Sequence, residues 1–262
     1  MKAAMTPYKK RRLKQQFFCN VLRVLFLAVF FGGWELTARY NLIDPFLLSC
    51  PSRMAKCIIG MKSEIISHIL ITVEECLIGF FAGSAAGAVF AAILWFFPRF
   101  AKFFEPFLVV LNALPKVALG PIIILLVGAG PAAIITMALA ISMIVTILGL
   151  WSGFCNCDTD WITMATSFRC SRLQLFFYIV FPSGLPALIS SLKIGIGLSL
   201  VGVITGEFLV SKGGLGYLIV YGGQVFRMDL VMSSVLILAI LAALMYAVVA
   251  VFEKICLPHF QS

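Results

Sequence analysis

Charge is what this 262-residue chain has least of: 12% of its residues are Asp, Glu, Lys or Arg, while 62% are hydrophobic. Between Val117 and Cys157 there is no charged residue at all, a stretch long enough for two bilayer crossings of about 20 residues each. Soluble domains carry about 25% charged residues, so the composition excludes a water-soluble fold. The apolar runs are continuous rather than alternating, which excludes a β-barrel and leaves helices as the spanning element. Catalytic signatures are missing too: there is no G-x-x-x-x-G-K-S/T phosphate loop, no H-E-x-x-H and no G-x-S-x-G. The two histidines, His68 and His259, are remote from Cys155 and Cys157, so those thiols lack a second ligand pair and no metal or cofactor is implied. A protein that is not an enzyme is expected.

What is present reads as an all-α membrane protein, a polytopic bundle of about six transmembrane helices. Cys76–Pro98 and Leu230–Phe252 each hold 23 uncharged residues, about 34 Å of helix against a hydrocarbon core of about 30 Å. The breaker cluster Gly128-Ala129-Gly130-Pro131 divides the central apolar stretch into spans at 107–128 and 132–154. A fifth span is expected at 188–210, and the first at 17–38, where Arg23 and Glu35 leave 11 uncharged residues between them.

With the N-terminus inside, the cytoplasmic segments hold 12 Lys and Arg residues and the opposite side six, the bias of a chain with both termini cytoplasmic. The basic run at residues 9–14 is then a topology signal rather than a nucleic-acid site, and the first helix is read as uncleaved. Under this topology Cys19, Cys76, Cys155, Cys157, Cys170 and Cys256 lie in spans or inside, and only Cys50 and Cys57 face out, so no disulfide framework is expected.

Small residues repeat on two spans: Gly79, Gly83 and Gly87, then Gly195, Ser199, Gly202 and Gly206. Such stripes let helices approach closely in lipid, and Leu at Gly83 or Gly202 is expected to block that approach while Ala nearly preserves it. Ionisable groups within spans mark pathways or paired structural sites. Lys116, next to the helix-bending Pro115, is the leading candidate for a cavity residue. Lys193 and Glu207 share a helix face but are about 21 Å apart along it. Snorkelling to the interface accounts for Lys193, and a pathway role stands beside it. Gly213-Gly214-Leu215-Gly216 lacks a following Lys and reads as a turn.

Residues 163–186 form a polar and basic island at a membrane face, T-M-A-T-S-F-R-C-S-R-L-Q-L-F-F-Y-I-V-F-P-S-G-L-P. Asp158, Thr159 and Asp160 offer N-caps, and Trp161, Met164, Ala165 and Phe168 fall at i, i+3, i+4 and i+7, one stripe of a short helix. A second helical pattern begins near Ser171 and ends before Pro182. Two short helices exposing Arg169 and Arg172 suit a groove on a cytosolic partner; a hairpin lying on lipid headgroups is the alternative.

This island resembles the coupling loop of binding-protein-dependent ABC importer permeases, E-A-A-x-x-x-G followed by a hydrophobic pair ending in Pro. Thr163 stands for the Glu, Met164 for the first Ala, Ala165 matches, and Arg169 stands for the Gly. Ser171, Arg172, Gln174 and the Phe181-Pro182 pair continue the likeness. The run L-K-I-G-I-G-L-S-L-V-G-V-I-T-G-E-F-L-V-S-K-G-G-L-G-Y-L-I resembles the nitrate, sulfonate and taurine branch. S-F-R-C-S and G-G-L-G-Y-L-I-V-Y-G-G-Q-V-F are similar to a subgroup that takes up pyrimidine precursors of thiamine. The likeness covers roughly residues 72–252, taken as the permease domain with its coupling loop at 155–187; residues 1–71 precede it and a tail, 253–262, follows.

The resemblance implies a permease in a bacterial inner membrane, importing a small polar solute by alternating access. Its partners would be a pair of cytosolic ATP-binding subunits, a second permease copy as a homodimer, an extracytoplasmic solute-binding protein and lipid, with no nucleic acid. Coupling would fall to Thr163, Met164, Ala165, Phe168, Arg169, Ser171 and Arg172, and the pathway to Lys116, Lys193 and Glu207. A secondary transporter, the alternative, needs intramembrane acids, and only Glu35 and Glu207 lie inside the expected spans. Gly at the coupling turn would permit positive φ; Arg169 there means a rebuilt turn or accepted strain of about 1 kcal/mol.

Overall fold

The computed structural model describes residues 7–40 and 49–256. His259 and the end of the tail lie outside the described residues, as do the side chains of the basic run 9–14 and of Lys116. Every regular element among the described residues is helical.

Two units make up the chain, residues 1–61 with 222–233, and residues 62–221 with 234–262. In the first, α1 (Pro7–Arg39) and α2 (Pro51–Gly60) are joined through Glu35. Its carboxylate accepts from the Ser52 backbone N–H at 3.1 Å, from the Ser52 hydroxyl at 2.6 Å and from Arg39 Nε at 3.0 Å. An anion thus satisfies donors that the first turn of α2 would otherwise leave open. Nearby, Arg227 lies 3.5 Å from Asp229 and 3.9 Å from the Cys57 sulfur. Burial, with Asp229 adding to it, pushes the Cys57 thiol above its ordinary value.

The second unit is built around α6 (Pro131–Cys155), the most deeply buried of the long helices. Pro131 opens it after Gly128 and Gly130, both at positive φ, 93° and 145°, so the breaker cluster is a turn as the sequence indicates. α3 (Lys62–Phe96) lies along one side of α6 and α9 (Phe181–Val210) along the other. The seams are glycine-lined. A Cβ on Gly79 would stand 2.5 Å from the Ala138 Cβ, one on Gly83 would collide with the Ser142 hydroxyl and the Leu139 carbonyl oxygen, and one on Gly202 would stand 3.2 Å from the Ala138 Cα. Ser142 turns its hydroxyl to the Gly79 carbonyl at 3.2 Å across this seam. α11 (Met228–Cys256) lays Leu241, Ala242, Met245 and Val249 against the core formed by Cys76, Phe80, Ile134, Ala138, Ile196, Leu200 and Val203.

Three expected spans differ from the helices that form. α3 begins at Lys62, not near Cys76, and at 35 residues is about 52 Å long; His68, Thr72 and Glu75 belong to it because they face protein rather than lipid. The third span is not one helix over 107–128. α4 (Pro98–Ala113), a 3-10 turn (Lys116–Leu119) and α5 (Gly120–Val127) make a pair bent by 95°. Pro115 holds Leu114 in extended backbone, ψ 137°, and Pro121 suits only the start of the next helix. The fifth helical run starts at Arg172 rather than 188 and carries through to Val210.

A methyl group at Gly83 meets main chain, which cannot move aside, so alanine is not the mild change that the glycine pattern alone suggests. Gly83→Ala is expected to lower stability by about 1–3 kcal/mol, the range for overpacking. Gly197→Ala, where a Cβ meets nothing within 4 Å, is expected to be neutral or to stabilise by helix propensity. Thermal unfolding of the two purified variants decides; equal midpoints would remove close packing as the reason for Gly83.

Candidate functional site

At the α6 C-terminus the chain leaves the bundle as a helical hairpin, α7 (Thr159–Ser167) and α8 (Arg172–Leu175). Asp158 caps α7 by accepting from the Asp160 N–H at 2.9 Å. Ser171 caps α8 in a reciprocal box with Gln174, at 3.3 and 2.9 Å. Between them α7 closes in a double turn: the Cys170 N–H donates to the Ala165 carbonyl at 3.2 Å and the Arg169 N–H to the Thr166 carbonyl at 2.9 Å. Arg169 adopts the left-handed backbone that this closure demands, φ 54°. The strain is therefore accepted and the turn is not rebuilt.

The hairpin has an inner and an outer face. Ala165 is buried, while Trp161, Met164 and Phe168 are 57, 45 and 76% exposed. Thr163 returns its hydroxyl to the Thr159 carbonyl at 2.8 Å; the exposed apolar side chains stand beside Arg169 and Arg172 at the turn, with Asp158 and Asp160 exposed at the start of α7. Arg172 joins Arg99 and the aromatic side chains of Phe96, Phe97 and Phe100 around a groove of about 620 Å³. The second helical pattern does not stop before Pro182. A π turn, Phe176–Val180, follows α8, its Phe181 N–H bonding back to the Phe176 carbonyl, and runs directly into α9, changing register just ahead of the residue that lacks a donor. Buried in that turn, the Phe176 ring lies 5.2 Å from Trp95, 4.9 Å from Phe96, 5.3 Å from Phe154 and 6.0 Å from Phe181. One ring thus ties the hairpin to α3, α6 and α9.

The opposite end of this unit is organised by Glu207, which is buried. Its Oε1 accepts from the Thr72 hydroxyl at 2.7 Å and its Oε2 from the Gly216 N–H. The Leu215 N–H donates to the Thr72 oxygen at 2.8 Å, and the Gly214 N–H to His68 Nδ1 at 2.9 Å. The first donors of α10 (Leu215–Gln224) are thus met by side chains of α3 and α9. A Cβ on Gly216 would stand 2.7 Å from Glu207 Oε2, and Gly214 has φ 98°. The glycine-rich segment is more than a turn: its three successive N–H groups are met by the chain's own imidazole, hydroxyl and carboxylate.

Lys193, on α9, pairs with Glu253 of α11 at 2.7 Å and lies 5.7 Å from the Tyr246 ring centroid. Lys116 opens the 3-10 turn of the broken span. The three expected pathway residues are not gathered at one point; Lys193 is met by Glu253 of α11, and Glu207 by Thr72 of α3 and by the Gly216 N–H nine residues on. His68, Thr72, Glu75 and Phe176 escape the sequence reading. A signal for the first three exists: at intervals of three and four they continue the Gly79, Gly83, Gly87 stripe toward the start of α3. Glu75 is buried as well, so the intramembrane acids are not Glu35 and Glu207 alone.

Glu207→Gln keeps the shape but faces a donor with a donor, and is expected to cost about 1–3 kcal/mol. Faster tryptic cutting after the exposed Lys212 would report the loosened loop, and unchanged cutting would mean the carboxylate does not hold it. Arg169→Gly is expected to raise the melting temperature by removing about 1 kcal/mol of left-handed strain, whereas Arg169→Ala gives no gain; equal shifts for both would show that backbone strain is not the cause.

Residues 79–261 match the family described as the binding-protein-dependent transport system inner membrane component. A probable ABC transporter permease protein of Haemophilus influenzae is 26% identical, over 85% of this chain and 91% of its own length. The formylaminopyrimidine transport permease protein ThiX of Halalkalibacterium halodurans is 24% identical over 89% and 94%, and the taurine transport system permease protein TauC of Escherichia coli is 24% identical over 84% and 82%. Among solved structures, the inward-facing MetNI methionine ABC transporter superposes with a TM-score of 0.66 at 15% identity, covering 74% of this chain and 97% of that one. A match over most of the chain, on a fold of the same architecture, shows that this chain belongs to the family of binding-protein-dependent transport system inner membrane components.

Proposed function

We propose that the chain forms one half of the transmembrane pathway of an ATP-driven importer and pairs with a second copy of itself. Two cytosolic ATP-binding subunits dock on the hairpins of the pair and hydrolyse the ATP, and an extracytoplasmic binding protein delivers the solute. In this reading both termini are cytoplasmic in a bacterial inner membrane, and residues 72–252 form the transporting domain. The observation that carries it is the hairpin itself, an apolar and basic projection wired through Phe176 to all three helices of the bundle core. Differential contact of such a projection with two ATPase conformations biases a two-state bundle mechanically. A secondary transporter has no use for it.

Each coupling residue then has its part. Met164 and Phe168 fill an apolar pocket on the ATPase, and Arg172 meets acidic groups beside it. Thr163 and Ala165 let α7 lie close, while Ser171 and Arg169 fix the angle between the two helices. Lys116, at the bend between α4 and α5, is the pathway residue; Lys193 and Glu207, each engaged within the chain, keep the pathway walls in position. Relatives named for taurine, aliphatic sulfonates and formylaminopyrimidine favour a small polar solute of that kind.

Arg172→Glu and Phe168→Asp test the docking. Either is expected to reduce uptake by proteoliposomes roughly tenfold, about 1.4 kcal/mol of coupling, with permease still inserted and dimeric. Normal uptake together with normal ATPase association in both variants would overturn this role for the hairpin.

A further inference from the structure

At the end of the second unit opposite the hairpin, a cavity of about 720 Å³ opens between α3, the start of α6 and the end of α9. That is the size of a small-molecule site. Its walls include Ile71, Pro131 and Val210, and two acidic side chains of α3 line it, Glu74 and Glu75. Glu74 is exposed, whereas Glu75 is 5% exposed and its Oε2 has no hydrogen-bond partner among the described residues. This is unlike its neighbours: Glu207 has both oxygens engaged, and Thr72 and His68 are spent on α10. Nor does Glu75 make an ion pair among the described residues, and Glu74 beside it on α3 is a second carboxylate. Lys212 stands at the cavity as an exposed side chain and makes no ion pair with Glu75 among the described residues.

A carboxylate taken out of water within a membrane span is costly unless donors reach it. Here the fold satisfies both oxygens of Glu207 and leaves one buried oxygen of Glu75 without a partner, on a side chain that lines the cavity. We propose that this cavity is a binding subsite for a group that donates N–H, a protonated amine or an amino-substituted nitrogen heterocycle, with Glu75 as its acceptor. Like-charged neighbours make the position favourable to a cation or a neutral donor and hostile to a bare anion. The apolar walls accept a carbon skeleton or ring, and Lys212 at the rim is placed to meet an acceptor or anionic group at the far end of the same molecule. Its role as a stop on a solute's route rests on the importer reading; the recognition of an N–H donor does not.

The test is therefore made without ATP or transport. Full-length protein in membrane vesicles is treated with a hydrophobic carbodiimide, and modification of Glu75 is followed by mass spectrometry with Glu75→Gln as the assignment control. Three probes are added separately: 4-aminopyrimidine, taurine, which carries an amine, and ethanesulfonate, which does not. Saturating 4-aminopyrimidine or taurine is expected to slow labelling about tenfold by occupancy, and ethanesulfonate to leave it unchanged. Protection by neither amino compound, equal protection by ethanesulfonate, or a Glu75 that never reacts would each overturn the subsite, and none of these would touch the importer reading. Conversely, intact protection in a protein without ATP-dependent uptake would sink the importer reading alone.

Discussion

The separation of α6 from its neighbours is the constraint on which the rest of the molecule depends. Hydrocarbon gives no hydrophobic reward for bringing two apolar helices together, so cohesion has to come from close packing and from polar contacts across the seam. Glycines on α3 and α9 remove the side chains that would hold the backbones apart, and Ser142 spends its hydroxyl on a carbonyl exposed by the gap. α6 is thereby gripped on both sides, which fixes where the hairpin at its C-terminus emerges and where the glycine turn at its N-terminus stands. Both candidate sites lie at the ends of this one helix, and their positions are consequences of its packing.

Three charged side chains are consumed by the fold itself. Glu207 closes the start of α10, Lys193 ties α9 to α11, and Glu35 closes the start of α2. A carboxylate serving as a helix cap satisfies donors that lipid could not, and it brings the field of its charge to the positive end of the helix. Glu75 breaks the pattern, because it shares the neighbourhood of Glu207 but none of its donors. Seven buried side-chain nitrogen and oxygen atoms lack a hydrogen-bond partner among the described residues, and the Glu75 oxygen is the one of them that belongs to a carboxylate, the group whose burial is most costly.

The hairpin shows how two short helices are held in place at a surface. Two short helices have little intrinsic stability, yet both ends of the turn are capped, and Arg169 is held in a backbone conformation that glycine would adopt freely. The closure's two hydrogen bonds outweigh a strain of about 1 kcal/mol. Behind it, Phe176 packs against aromatic rings of three helices and ties the hairpin to the bundle core. The π turn that carries Phe176 also resolves the conflict between a helical segment and Pro182.

By itself the sequence determined that the chain is an all-helical membrane protein, roughly where most of its spans run, and where the hairpin leaves the bundle. Those features depend on local properties: uninterrupted apolar length, breaker residues, capping residues and three-to-four-residue spacing. Even the broken third span was foreshadowed by Pro115, although not the 95° bend. The tertiary structure alone decided which polar residues face protein. Thr72 and Glu207 are 135 positions apart, and Lys193 and Glu253 are 60 apart, so no local pattern could pair them. It also decided that Gly83 faces main chain of α6 as well as the Ser142 hydroxyl, and that Glu75 belongs to a buried helix face rather than an outer loop. Helix formation answers to neighbours along the chain, whereas satisfaction of a buried charge answers to whatever another helix brings to it.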